Sequence, residues 1–225
     1  MSKATFPTIF GPVTFTATSI FSPARGGAVL LSQAHAGRSP FERLVLTAPM
    51  IRFGGFRYPG AVRWLVEILD IIGLGSMFVP GGSARAVLSL PFEQNFVTTD
   101  PVRYSRLQGI IKAMPPLAIG YPTVGWLNAA FRCTKQFEEP EFPLRTLTPT
   151  LVIASGGDRI VDTRAAERFS HRLKAGSIIV VPHAQHEILA ERDVFLDQFW
   201  AAFDAFIPGE AVPSDEGLRA PGSAA

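Results

Sequence analysis

Residues 151–162 read Leu-Val-Ile-Ala-Ser-Gly-Gly-Asp-Arg-Ile-Val-Asp, and residues 178–187 read Ile-Ile-Val-Val-Pro-His-Ala-Gln-His-Glu. Each stretch opens with four apolar residues, short enough for a strand and with no polar alternation. That pattern predicts strands buried on both faces, as in a parallel sheet. Each run then breaks on turn-forming residues, Gly156-Gly157 and Pro182-His183. The first turn delivers a carboxylate, Asp158, and the second an imidazole, His186. A parallel sheet sets such turns side by side at its carboxyl edge, where an acid and a base can meet.

The same rhythm extends outward from these two stretches. Residues 163–174 and 193–207 carry helical periodicity after each strand. Upstream, residues 26–36 read as a helix opening on Gly26-Gly27, and Phe41 to Leu46 reads as a buried strand ending at Thr47-Ala48-Pro49-Met50. Alternating strands and helices predict an α/β fold with a mostly parallel sheet flanked by helices. The expected core comprises residues 26–51 and 144–207. Between them, residues 52–143 are rich in Gly, Pro, Phe and Trp, with helical candidates at 61–72, 101–114 and 123–133, and read as a helical insertion. Residues 1–25 form an atypical, roughly strand-like segment, and 208–225 are expected to be a disordered tail of Gly, Pro, Ser and Ala.

Composition narrows the function classes. The 225 residues are 47% hydrophobic and 18% charged, which describes a globular chain rather than a disordered one. A net charge of +2 with interspersed signs predicts no nucleic-acid partner. Cys133 is the single cysteine, so no internal disulfide forms, and a reducing, cytoplasmic location is expected. The most apolar window, Trp64 to Val79, is broken by Glu67, Asp70 and glycines, and is too short and polar for a transmembrane segment. The opening residues lack the charged start and continuous apolar core of a signal peptide.

Several blocks in order carry a family resemblance: Gly26-Gly27-Ala28 with Phe41 to Met50 (FERLVLTAPM), Asn95 to Arg103 (NFVTTDPVR), Ile119 to Leu127 (IGYPTVGWL), Leu151 to Val161, His186 to Glu191 (HEILAE) and Phe203 to Ile207 (FDAFI). Together they resemble the monoacylglycerol lipase and lysophospholipase branch of the α/β-hydrolases, the serine aminopeptidase-like family, and most of all its lysophospholipase L2-like members. The resemblance implies a helical cap inserted after the strand near Pro49. It also implies hydrolysis of a small lipid-like ester without cofactor or metal, with Asp158 as the acid and His186 as the base. Transient contact with a membrane surface is compatible with such a substrate. The departure is at the nucleophile. Members of this family read His-Ser-Met-Gly-Gly, and the serine position falls here on Ala24, whose methyl group cannot attack a carbonyl. The chain is therefore expected to be an impaired serine hydrolase, with an inactive remnant or a lipid-binding protein as the alternative.

Other residues compete for these roles. Asp162 opens the next helix and reads as its N-cap. His183 rivals His186 but lies outside the HEILAE block, while His35 and His171 fall on predicted helices. Ser22 stands two places before the nucleophile position and precedes a proline, off the turn that would expose it. Cys133 reads as a small buried residue. His183, Glu187 and Glu191 lack the His-x-x-x-His spacing of a helical metal site. The aromatics Phe53, Phe56, Trp64, Phe78, Trp126 and Phe131 read as the insertion's own core, or as the lining of a lipophilic tunnel.

Overall fold

The computed structural model describes the backbone of residues 3–8, 11–16 and 19–207, and the side chains of residues 26–207. The expected tail, 208–225, and the side chains of Ser22 and Ala24 lie outside the described residues. Four parallel strands form the central sheet in the order β3-β4-β5-β6: β3 (Ser19–Pro23), β4 (Arg43–Thr47), β5 (Thr150–Ser155) and β6 (Gly176–Val181). In register, Pro23 faces Thr47, Thr47 faces Ile153, and Ser155 faces Val181, so the carboxyl ends of all four strands share one edge. Before them, β1 (Lys3–Thr8) and β2 (Gly11–Thr16) pair antiparallel as a separate ribbon. The sequence pattern begins the core at Gly26. The sheet instead starts at Ser19, because β3 is defined by pairing with β4 rather than by an apolar run of its own.

Helices cover both faces of the sheet. Alternate residues of each strand point to opposite sides. Leu44, Leu46, Val152 and Ala154 pack on α1 (Ala24–His35) and α6 (Thr163–Ser170), while Val45, Leu151 and Ile153 pack with Phe199 of α7 (Asp193–Phe206). This is why β4 and β5 read as continuous apolar runs. β6 is an edge strand of the four, and Ile178, Ile179 and Val180 are only half-buried, so the full burial expected of that run is confined to Val181. Phe142, fully buried, stacks on His35 with ring centroids 4.0 Å apart and meets Phe137 and Phe169 edgewise or tilted. The stack ties α1 to α6 through α5 (Glu141–Arg145).

Between β4 and β5 the chain is largely helical. α2 (Pro59–Leu69) runs into a wide turn over Asp70–Leu74, where Gly73 adopts φ 89°. α3 (Pro101–Ala113) starts at Asp100, whose carboxylate accepts from the N–H groups of Val102 and Arg103. α4 (Val124–Gln136) is capped by Thr123. Val66, Val124, Leu127 and Phe131 form a cluster of their own, joined by Phe53 and Trp126. Phe53, Phe56 and Phe131 pack within 6.0 Å of one another, whereas Trp64 is 66% exposed. The aromatic set thus divides between the insertion's core and its surface.

Candidate active site

The turn after β5 is shaped to hold a carboxylate. Gly156 donates its N–H to the Val181 carbonyl at 2.8 Å, and Gly157 to Ala184 at 2.8 Å, so the turns following β5 and β6 remain laced together beyond the sheet. A Cβ on Gly157 would stand 3.0 Å from the Ala184 oxygen and 3.1 Å from that of His183. Glycine is needed there for close approach of two backbones. His183 takes a left-handed φ of 64°, which turns the chain sharply. Its place is in that bend, and His186 follows on the returning segment.

Asp158 has no exposed side-chain surface. One carboxylate oxygen accepts from the N–H groups of Ile160 (2.7 Å) and Val161 (3.0 Å). The other lies 2.7 Å from His186 Nδ1. An ionised carboxylate only accepts, so Nδ1 carries the proton and donates, leaving Nε2 as the basic nitrogen. The expected acid and base are thus in direct contact. Asp162 caps α6 through the Ala165 N–H and pairs with Arg52 at 3.0 Å, as its N-cap reading predicts. His35 bonds the Phe142 carbonyl inside the fold, and Cys133 lies half-buried on α4 next to Gln136.

At the same sheet edge, β3 passes directly into α1, and Ala24 is the first helical residue. Gly27, one turn on, faces Pro49: a Cβ there would be 3.3 Å from the proline Cβ. The strand-to-helix junction, the bend after β4, the Asp158 turn and the His186 turn therefore line one rim in sheet order. Adjacent strands are about 4.8 Å apart, which puts the Ala24 junction two strands from Asp158.

Two carboxylates of the HEILAE block, Glu187 and Glu191, lie beside the pair. Glu191 is fully buried and ties the His186 turn to the insertion at Thr99. The sequence places it in the HEILAE block but does not reveal its bonding role, since its partner Thr99 is 92 positions away. Among the described residues no group of three or more His, Cys, Asp or Glu side chains is arranged to hold a metal ion. The Glu187 carboxyl is pushed above its ordinary range, chiefly by burial and further by the Asp158 charge, with His186 acting the other way. A raised pKa in the folded state means the fold favours the protonated form, so the linked stability falls as pH rises through the folded value. Glu187→Gln is expected to gain melting temperature over the parent at pH 8, with little gain at pH 5. Equal differences at both pH values would refute this.

Two cavities lie nearby. One, of about 310 Å³, is lined by Glu93, Asn95, Phe96, Arg159 and Ile160, immediately beside the Asp158 turn. The other, of about 410 Å³, lies against α3 and Ala190. Neither is lined by Asp158 or His186 themselves.

Residues 14–193 match the family described as Serine aminopeptidase, S33. The chain is 30% identical over 190 residues to Lysophospholipase L2 of Escherichia coli (strain K12), covering 77% of this chain and 52% of that protein. It is 25% identical over 154 residues to a probable lysophospholipase L2 of Haemophilus influenzae, covering 68% and 47%. The chain thus spans about half the length of these curated relatives. Among solved structures, the fold is similar to that of Paleococcus ferrophilus monoacylglycerol lipase (TM-score 0.63, 17% identity, 84% of this chain, 67% of that one). It is also similar to a soluble variant of monoglyceride lipase from Saccharomyces cerevisiae in complex with a substrate analog (TM-score 0.60, 14% identity, 84% and 62%).

Proposed function

This chain belongs to the serine aminopeptidase S33 family of α/β-hydrolases, and from that premise we propose that it carries an esterase site for lysophospholipid- or monoacylglycerol-like esters that is disabled at its nucleophile. The observation that supports this most is the 2.7 Å contact between buried Asp158 and His186 Nδ1, on the rim where β3 turns into α1 at Ala24. In a complete site of this type a serine hydroxyl attacks the ester carbonyl and His Nε2 takes its proton. The aspartate holds the Nδ1–H tautomer and steadies the imidazolium that forms. Acyl transfer of this kind needs no cofactor. With a methyl group at position 24, no covalent intermediate forms, and His186 has no nucleophilic hydroxyl to deprotonate. The site then binds an ester and releases it unchanged.

The insertion, residues 52–143, serves as the cap over this rim. Its aromatic cluster around Phe53 and Phe131 suits an acyl chain. Trp64, Leu65, Ile71, Ile72 and Met77 are between 51% and 77% exposed. This apolar flank suits a lipid surface, from which such esters are drawn. Among the described residues no helix is long and apolar enough to cross a membrane.

Two measurements test the proposal together. Release of p-nitrophenol from a short-chain ester is expected to be no faster than with the His186→Ala variant. Tryptophan fluorescence is expected to saturate as monoacylglycerol is added. Turnover that disappears in His186→Ala would mean another nucleophile operates. Failure to bind as well as to hydrolyse would favour an inert remnant.

A further inference from the structure

Glu191 stands five positions after His186 in a fully buried environment, where a carboxylate is stable only if its oxygens are satisfied. They are. Oε1 accepts the Gln185 N–H at 2.8 Å, the Thr99 N–H lies 3.1 Å from both oxygens, and Oε2 accepts the Thr99 hydroxyl at 2.5 Å. The neighbouring contacts run between the same two segments. Thr98 donates its hydroxyl to the Ala190 carbonyl at 2.6 Å, and the Glu187 N–H donates to Val97 at 2.8 Å. The Arg192 guanidinium reaches the Thr99 carbonyl at 3.2 Å. Residues 97–99 of the insertion therefore hold the chain immediately after His186 directly, at Glu187, and immediately before it, at Gln185, through the Glu191 carboxylate. Asn95 shapes the gripping segment, its side-chain oxygen accepting from the N–H groups of Val97 (3.0 Å) and Thr98 (3.1 Å).

We propose that Glu191 is a positioning residue for His186: it locks the imidazole's turn to the Val97–Thr99 segment, so that the ring's contact with Asp158 depends on where the insertion rests. This deepens the reading of Asp158 and His186 as an acid–base pair. Asp158 fixes the ring from one side, through Nδ1. Glu191 fixes the backbone that carries the ring. A displacement of residues 97–99 reaches His186 through Glu187 directly and through the Glu191 carboxylate to Gln185.

The test needs no substrate, so it stands or falls apart from the ester reading. The full chain is labelled with ¹⁵N-histidine, and exchange of the His186 Nδ1 proton with water is followed by NMR. In Glu191→Gln the volume is kept, but an NH₂ group meets N–H or O–H donors that had faced oxygen. Exchange at His186 is expected to quicken about tenfold, the effect of losing roughly one net buried hydrogen bond. Thr99→Val removes only the hydroxyl donor, and a smaller change in the same direction is expected. His35, whose Nδ1 bonds Phe142 outside this network, is expected to stay unchanged in both. A folded Glu191→Gln variant with an unaltered His186 signal overturns the proposal. If that variant does not fold, an unaltered His186 signal in Thr99→Val overturns it equally.

Discussion

Ala24→Ser is expected to raise hydrolysis of a short-chain p-nitrophenyl ester at least about a hundredfold over the parent, while remaining well below the roughly 10⁶ that a complete triad supplies. The gain is expected on the proposed function, from two features of the rim. Asp158 and His186 are in hydrogen-bond contact, and position 24 opens α1 at the carboxyl end of β3. The first N–H groups of a helix have no acceptor within it and sit at its positive end, so those of Arg25 and Gly26 suit the oxyanion that forms on the carbonyl oxygen. Gly27, tight against Pro49, lets the helix start close to the rim. The shortfall is expected because attack and proton transfer need positioning within about 0.5 Å. Arg25 also puts a charged residue where the resembling family has the apolar methionine that follows the serine. The control is Ala24→Ser combined with His186→Ala, which should fall back to the parent's rate. A folded Ala24→Ser variant no faster than the parent would show that position 24 does not face His186.

Much of this site was legible because its determinants are local. An apolar run followed by Gly156-Gly157-Asp158 states strand, turn and acid within a dozen residues. The Asp100 and Asp162 caps follow from side-chain chemistry two or three positions away. What the sequence concealed is nonlocal. β3 contains two serines and ends in proline, and only its pairing with β4 makes it a strand of the core. The half-burial of β6 depends on its place at the end of the strand order. Glu191 belongs to a residue type that is seldom fully buried unless paired, and its partners on Thr99 come from the middle of the insertion. Asp70 is similar: its carboxylate accepts from Asn128 across the insertion, where the helix before it widens.

Asp158 carries two loads that substitution should separate. Asp158→Ala is expected to lower stability by about 2–4 kcal/mol, because it strands the buried Ile160 and Val161 N–H groups along with the imidazole. Asp158→Asn should lose much less. Its amide oxygen can still accept from both N–H groups, which fixes the NH₂ toward His186 Nδ1. Two donors then face each other, and the ring must shift its proton to Nε2 to accept instead. An imidazole protonated on Nε2 cannot take a proton there, so in the Ala24→Ser background the rate should fall back toward the parent's although the fold is kept. Denaturation midpoints and initial rates, measured on the same variants, give the two readings. If Asp158→Asn destabilises as much as Asp158→Ala, the carboxylate's charge rather than its two backbone bonds holds the turn. If the rate instead stays within tenfold, His186 does not act through the tautomer that Asp158 selects, and the geometry of the pair is structural alone.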